Sequence, residues 1–194
     1  MTRSLALLAG AALLSLSACQ REGEANAVGS DGNTVSASAR PSGNLAEVLN
    51  GGGNARLLQA VRTAGLEETL RGPGPYTLLV PSDAALAALP PGALQAAQPA
   101  DKAELTRILS YHILPGVILT EDIGRAIDNG RGKAVLATMA GQTITATRDG
   151  GNIILSDGRR RAVLQGGERQ ASNGVAHGID GVLLPAREDA GAPR

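Results

Sequence analysis

A chain of 194 residues with no tryptophan, no phenylalanine and only two tyrosines must build its core from Leu, Val, Ile and Ala, and the length predicts one domain with an appendage. Its 18 basic and 18 acidic residues cancel and are scattered, which argues against the basic face of a nucleic-acid binder. With Tyr76 and Tyr111 as the only phenol rings, recognition of bases or sugars by stacking is disfavoured too.

The opening residues, MTRSLALLAGAALLSLSACQ, set a positive Arg3 ahead of an apolar run over 5–18 that ends in small residues. That run is shorter than the roughly 20 residues that span a bilayer, so it predicts an export signal over 1–18 rather than a permanent transmembrane helix. Leu16-Ser17-Ala18-Cys19 resembles the lipobox of bacterial lipoproteins, and Cys19 is the single cysteine. The resemblance implies a diacylglyceryl group on the Cys19 thiol, cleavage just before it and acylation of the new amino end. Cys19 would then hold the protein to a lipid bilayer, because each buried methylene contributes about 0.8 kcal/mol. Gln20, where an Asp would favour inner-membrane retention, implies an outer-membrane lipoprotein facing the periplasm or the cell surface. Residues 19–43 are expected to be a flexible tether. Apart from Val28 and Val35 they carry little that could be buried, and as a coil they would give a reach of roughly 25 to 30 Å.

Asn44 with Glu47 predicts a capped helix through Leu45, Val48 and Leu49, ended by Gly51-Gly52-Gly53. Those glycines lack the spacing of a phosphate loop and read as a turn. Asn54 is expected to cap a second helix carrying Leu57, Leu58, Val61, Gly65, Leu66 and Leu70 at helical spacing, stopped at Gly72-Pro73-Gly74-Pro75. A short strand from Tyr76 runs into Pro81, where Ser82 or Asp83 caps an Ala-rich helix. Asp101 and Glu104 begin the next helix, and Leu105, Ile108, Leu109 and His112 share its apolar face until Pro115-Gly116. Residues 117–119 read as a strand, and Thr120 as the cap of a short helix over 121–127. Five β-prone runs follow, over 134–139, 142–147, 152–156, 161–165 and 175–185, divided by Gly-containing turns. Helices first and strands after predict an α+β domain over 44–187, with a disordered tail over 188–194.

Three of these stretches, YTLLVPSDAALAAL (76–89), LTRILSYHILPGVI (105–118) and ASNGVAHGIDGVLLP (171–185), together resemble a fasciclin domain in order and spacing. Leu79 and Leu86 stand where the first motif usually has phenylalanine, and Ala176 and Gly178 replace bulkier residues in the closing motif. The resemblance implies a wedge or sandwich of about seven strands with several short helices packed on one side. It also implies a non-catalytic role in cell adhesion, surface attachment or envelope interaction. Tyr111-His112 matches a pair proposed as a partner contact in animal members, and Thr120-Glu121-Asp122-Ile123 resembles their acidic-aliphatic stretches loosely. The partner itself, a protein or a polysaccharide, is left open.

The residues by themselves point away from chemistry. A hydrolase needs a nucleophile, a base and an oxyanion site, yet the chain has two histidines and its one thiol is assigned to lipidation. Ser82 lacks the GxSxG elbow. Two histidines without HExxH spacing or a second cysteine are poor zinc ligands, so no metal, cofactor or nucleic-acid partner is expected. Arg159-Arg160-Arg161 after a hairpin could touch an anionic lipid or polysaccharide, though such a run is ordinarily a solvated turn. A second reading is a periplasm-facing binding protein for a small apolar ligand or lipid, which requires a concave Leu/Val/Ile-lined pocket.

In SNGVAHGIDGVLLP (172–185), strand alternation puts Val175, His177 and Ile179 on one face and Ala176, Gly178 and Asp180 on the other. His177 and His112 are both expected to point inward, each satisfied by a backbone carbonyl or hydroxyl. Asn173-Gly174 makes the turn into the strand. His177, Asn173 and Asp180 together are expected to be a structural latch.

Overall fold

The structure is a computed structural model that describes residues 43–89 and 99–186. The expected signal over 1–18, Cys19, the tether up to residue 42 and the tail over 188–194 lie outside the described residues.

Six helices are described: α1 (Leu45–Asn50), α2 (Ala55–Ala64), α3 (Glu67–Arg71), α4 (Asp83–Ala87), α5 (Pro99–Tyr111) and α6 (Thr120–Asn129). The eight described strands are β1 (Tyr76–Pro81), β2 (Ile113–Pro115), β3 (Lys133–Ala137), β4 (Thr143–Asp149), β5 (Asn152–Ser156), β6 (Arg161–Val163), β7 (Arg169–Ala171) and β8 (Gly174–Ile179). They form two four-stranded sheets, ordered β2-β1-β8-β7 and β3-β4-β5-β6. The chain is therefore α+β with short helices, as its element order predicts. β1 and β8 pair in parallel, in register from Tyr76 opposite Gly174 to Pro81 opposite Ile179, while the other strand pairs are antiparallel.

That parallel pair separates two cores. Leu78, Val80 and Ala176 turn towards Leu45, Leu49, Leu57 and Leu109, on the side of α1, α2, α4 and α5. Leu79 and Ile179 turn the other way, towards Ile123 and Ile127 of α6 and the inner face of the second sheet, including Ile144 and Leu155. Strands buried on both faces read as continuous apolar runs, which is the pattern of Leu78-Leu79-Val80. It also corrects the picture of one inner and one outer face for β8, because Val175, Ala176, His177 and Ile179 are all buried.

Local chemistry sets several boundaries. Asn44 Oδ1 accepts the Glu47 N–H at 3.1 Å and Ser82 Oγ accepts the Ala85 N–H at 3.1 Å, two N-caps of the expected kind. The long helix expected over 55–70 is instead two, because Gly65 adopts the left-handed conformation (φ 77°) and its N–H closes on the Arg62 carbonyl. Asn54 makes no side-chain cap, and its buried amide nitrogen has no hydrogen-bond partner. The strand expected over 117–119 is displaced to Ile113–Pro115, where Leu114 pairs with Thr77. Thr77 Oγ1 donates to the Gly116 carbonyl and accepts the Ile118 N–H, which lifts 117–119 off the sheet as a linker into α6. β7 lacks an apolar run and forms by pairing Gln170 with Val175.

Candidate functional site

The chemistry-bearing residues gather around the closing strand, which is stitched at its start, middle and end. At the start, Asn173 uses its whole amide: Oδ1 accepts the Leu45 N–H at 2.9 Å, and Nδ2 donates to the Leu70 and Gly72 carbonyls, both at 2.8 Å. One side chain thus joins α1, the end of α3 and the strand, replacing three backbone bonds that would otherwise need water. The backbones here meet so closely that a Cβ on Gly174 would lie 2.0 Å from the Tyr76 carbonyl oxygen, and one on Gly74 would lie 2.0 Å from that of Asn173. Glycine is required at both positions by approach distance.

In the middle, His177 is fully buried and its Nε2 lies 2.7 Å from the Ile118 carbonyl, an acceptor, so Nε2 carries a proton and donates it there. Nδ1 is 3.4 Å from Thr120 Oγ1, and that hydroxyl is also 3.2 Å from Glu168 Oε2. Glu168 accepts the Thr120 N–H as well, at 3.1 Å, so a carboxylate from the β6–β7 loop neutralises the positive end of α6. Sequence reasoning missed Glu168, because a contact spanning 48 residues has no local signature. At the end, Asp180 Oδ1 accepts the Val163 N–H at 2.6 Å while its own N–H bonds the Val163 carbonyl, tying β8 to β6 and the first sheet to the second.

Tyr111 and His112 are 1 % and 2 % exposed, so the pair is core and is not presented to a partner. Its rings meet edge to face with centroids 6.4 Å apart. Tyr111 donates its hydroxyl to the Thr143 carbonyl at 2.8 Å, and burial, reinforced by the Asp157 charge, pushes its pKa up to about 12. His112 donates from Nδ1 to the Ile108 carbonyl at 2.9 Å and accepts the Leu183 N–H at Nε2, 3.3 Å away. Burial lowers its pKa, opposed by the Ile108 carbonyl and by Asp157, and the Leu183 N–H occupies the nitrogen that would otherwise take the second proton. His112 thus connects two backbone groups, and His177 connects the Ile118 carbonyl to the Thr120 hydroxyl.

What remains at the surface is polar scaffolding. Ser82 Oγ is taken by its cap, Asp122 is held below the usual carboxylate range by Arg125 and the Leu119 N–H, and Arg125 also pairs with Glu121. Among the described residues no three His, Cys, Asp or Glu side chains converge to hold a metal ion, and no helix is long and apolar enough to cross a membrane. Arg159, Arg160 and Arg161 sit exposed at the β5–β6 turn.

The Fasciclin domain model matches residues 53–185. The chain is 35% identical over 130 residues to Protein sll1483 of Synechocystis sp., covering 66% of each protein. It is also 35% identical over 130 residues to mouse Stabilin-1, but there the match spans 64% of this chain and 5% of the larger protein. Pig Transforming growth factor-beta-induced protein ig-h3 is 29% identical over 146 residues, which are 75% of this chain and 20% of that protein. Among solved structures, the domain pair of the insect cell adhesion molecule Fasciclin I superposes with a TM-score of 0.59 at 16% identity, covering 74% of this chain and 51% of that one. A parallel β1–β8 pair dividing two cores, closed by a strand whose histidine is internal, is thus the frame of a chain that belongs to the fasciclin-domain family.

Proposed function

We propose that this protein is a membrane-tethered lipoprotein whose domain acts in cell adhesion, surface attachment or envelope interaction, without catalysis. Membership of the fasciclin-domain family carries the reading, since proteins of this family are in general adhesion-related and non-catalytic. The interior supports it, because both histidines and the Tyr111 hydroxyl are spent on backbone partners inside the core. The lipobox-like Leu16–Cys19 run supplies the anchor in this reading, on an outer membrane, with the domain on the periplasmic face or the cell surface.

The chain enters the domain at Gly43, whose carbonyl accepts the Ser172 N–H beside the start of β8, whereas Asp180 and Val163 meet at the other end of that strand. The partner in this reading is a protein or a polysaccharide.

Attachment and aggregation of cells carrying the wild type, Cys19→Ala, and a deletion of 44–187 test the function. Reduced attachment in both variants is expected, and equal attachment by all three would sink it. Fatty-acid labelling tests the anchor separately: label is expected on the wild type and lost in Cys19→Ala.

A further inference from the structure

We propose that a cleft beside the β5–β6 turn binds a single-chain amphiphile with a phosphate head. The cleft has a volume of about 490 Å³, within the range of small-molecule pockets. Leu89, Ile108, Leu184 and Pro185 make the apolar part of its wall, and the exposed Arg159 and Arg160 line it too. An alkyl chain against that wall would leave its head at the guanidinium groups.

Among the described residues the lining carries three arginines, Arg107, Arg159 and Arg160, against two acids, Asp157 and Glu104. The acid nearest in sequence, Asp157, is consumed by backbone: Oδ1 accepts the N–H groups of Arg159 and Arg160 at 2.7 and 2.6 Å, and Oδ2 accepts the Leu184 N–H at 2.8 Å. Glu104, also on the cleft, is held by a two-pronged bond from Arg107, at 2.9 and 2.8 Å. Among the described residues neither Arg159 nor Arg160 makes an ion pair. The same Asp157 bonds fix the backbone of the turn that carries them, so both arginines are presented to the cleft from one rigid turn. Two forks match the several oxygens and near-double charge of a phosphate monoester better than the single charge of a carboxylate. Arg161 extends the cationic lining into an adjoining hollow beside Val182. A hydrophilic polyanion would use the arginines and leave the wall idle.

This inference does not depend on the adhesion reading, and a binding assay separates the two. The full chain carrying Cys19→Ser, which removes the acyl chains expected on Cys19 as competitors, is titrated calorimetrically with dodecyl phosphate below its micelle concentration. Inorganic phosphate and dodecyl maltoside serve as head-only and uncharged-head probes. Saturable one-to-one binding of dodecyl phosphate is expected, weakened about tenfold or more by Arg159→Gln/Arg160→Gln. The double variant keeps the Asp157 backbone bonds, so its circular dichroism should match the parent. Leu89→Asn should weaken dodecyl phosphate while leaving any residual affinity for inorganic phosphate unchanged. Absence of binding, equal affinity in the double variant, or inorganic phosphate binding as tightly as dodecyl phosphate would each overturn the proposal.

Discussion

His177 and Ile118 lie 59 residues apart in sequence and 2.7 Å apart in space, joined by Nε2–H and a backbone carbonyl. The bond makes the last strand of the domain the support of the linker that enters α6. We expect His177→Ala to leave the Ile118 carbonyl unpaired beside a cavity, at a cost of about 2–4 kcal/mol. Thermal unfolding should show the melting temperature falling by roughly 5–10 °C. An unchanged melting temperature would refute the latch.

Asn173→Ala removes one acceptor and two donors at once from the junction of α1, α3 and β8. At about 1 kcal/mol net for each bond, with the freed groups partly rewetted, a loss of roughly 2–3 kcal/mol is expected in urea unfolding. Asn173→Asp should be worse, since a carboxylate would face the Leu70 and Gly72 carbonyls without a proton to offer.

Gly174→Ala places a methyl group 2.0 Å from the Tyr76 carbonyl oxygen, where β1 and β8 begin their pairing. Backbone must move to admit it, so the variant is expected to be insoluble or to unfold at far lower urea. Gly151→Ala, with nothing within 4 Å of the new Cβ, should match the wild type within about 0.5 kcal/mol.

The lowered pKa of His112 makes stability depend on pH with a defined sign. Below about pH 6.5 the unfolded chain takes up a proton that the buried imidazole refuses, so this contribution is complete above pH 6.5 and is lost as pH falls from there. Urea unfolding at pH 7.5 and 5.5 should show a larger loss for the wild type than for His112→Gln. Equal losses would mean that the imidazole is accessible to protons in the fold.

Tyr111 offers a spectroscopic check on the same core. In a Tyr76→Phe background the single remaining phenol should ionise near the raised value of about 12, since ionisation there needs a buried phenolate beside Asp157. A midpoint near 10 would place the ring in water.

Spacing along the chain was enough for the Asn44 and Ser82 caps, for Asn152–Ser156 as a strand, and for the inward direction of both histidines. These depend on neighbours within a turn or on side-chain alternation, and both are written in consecutive residues. The break at Gly65 carried a weaker local sign, a glycine inside an otherwise helical pattern, and it was overridden by the apolar periodicity on either side.

Other features had no local sign at all. That Tyr111 and His112 are sealed in the core depends on Thr143 and Leu183 arriving from later strands and loops. Glu168 caps α6 from across the domain, β7 exists only because Val175 pairs with Gln170, and the Arg159–Arg160 turn meets an apolar cleft only where Leu89, Ile108 and Leu184 converge. By itself the sequence determined an α+β domain built on aliphatic residues, because hydrophobic periodicity and capping act at short range. Only the tertiary structure decided which polar groups meet which partners and which side chains remain in water, because those pairings join residues tens of positions apart.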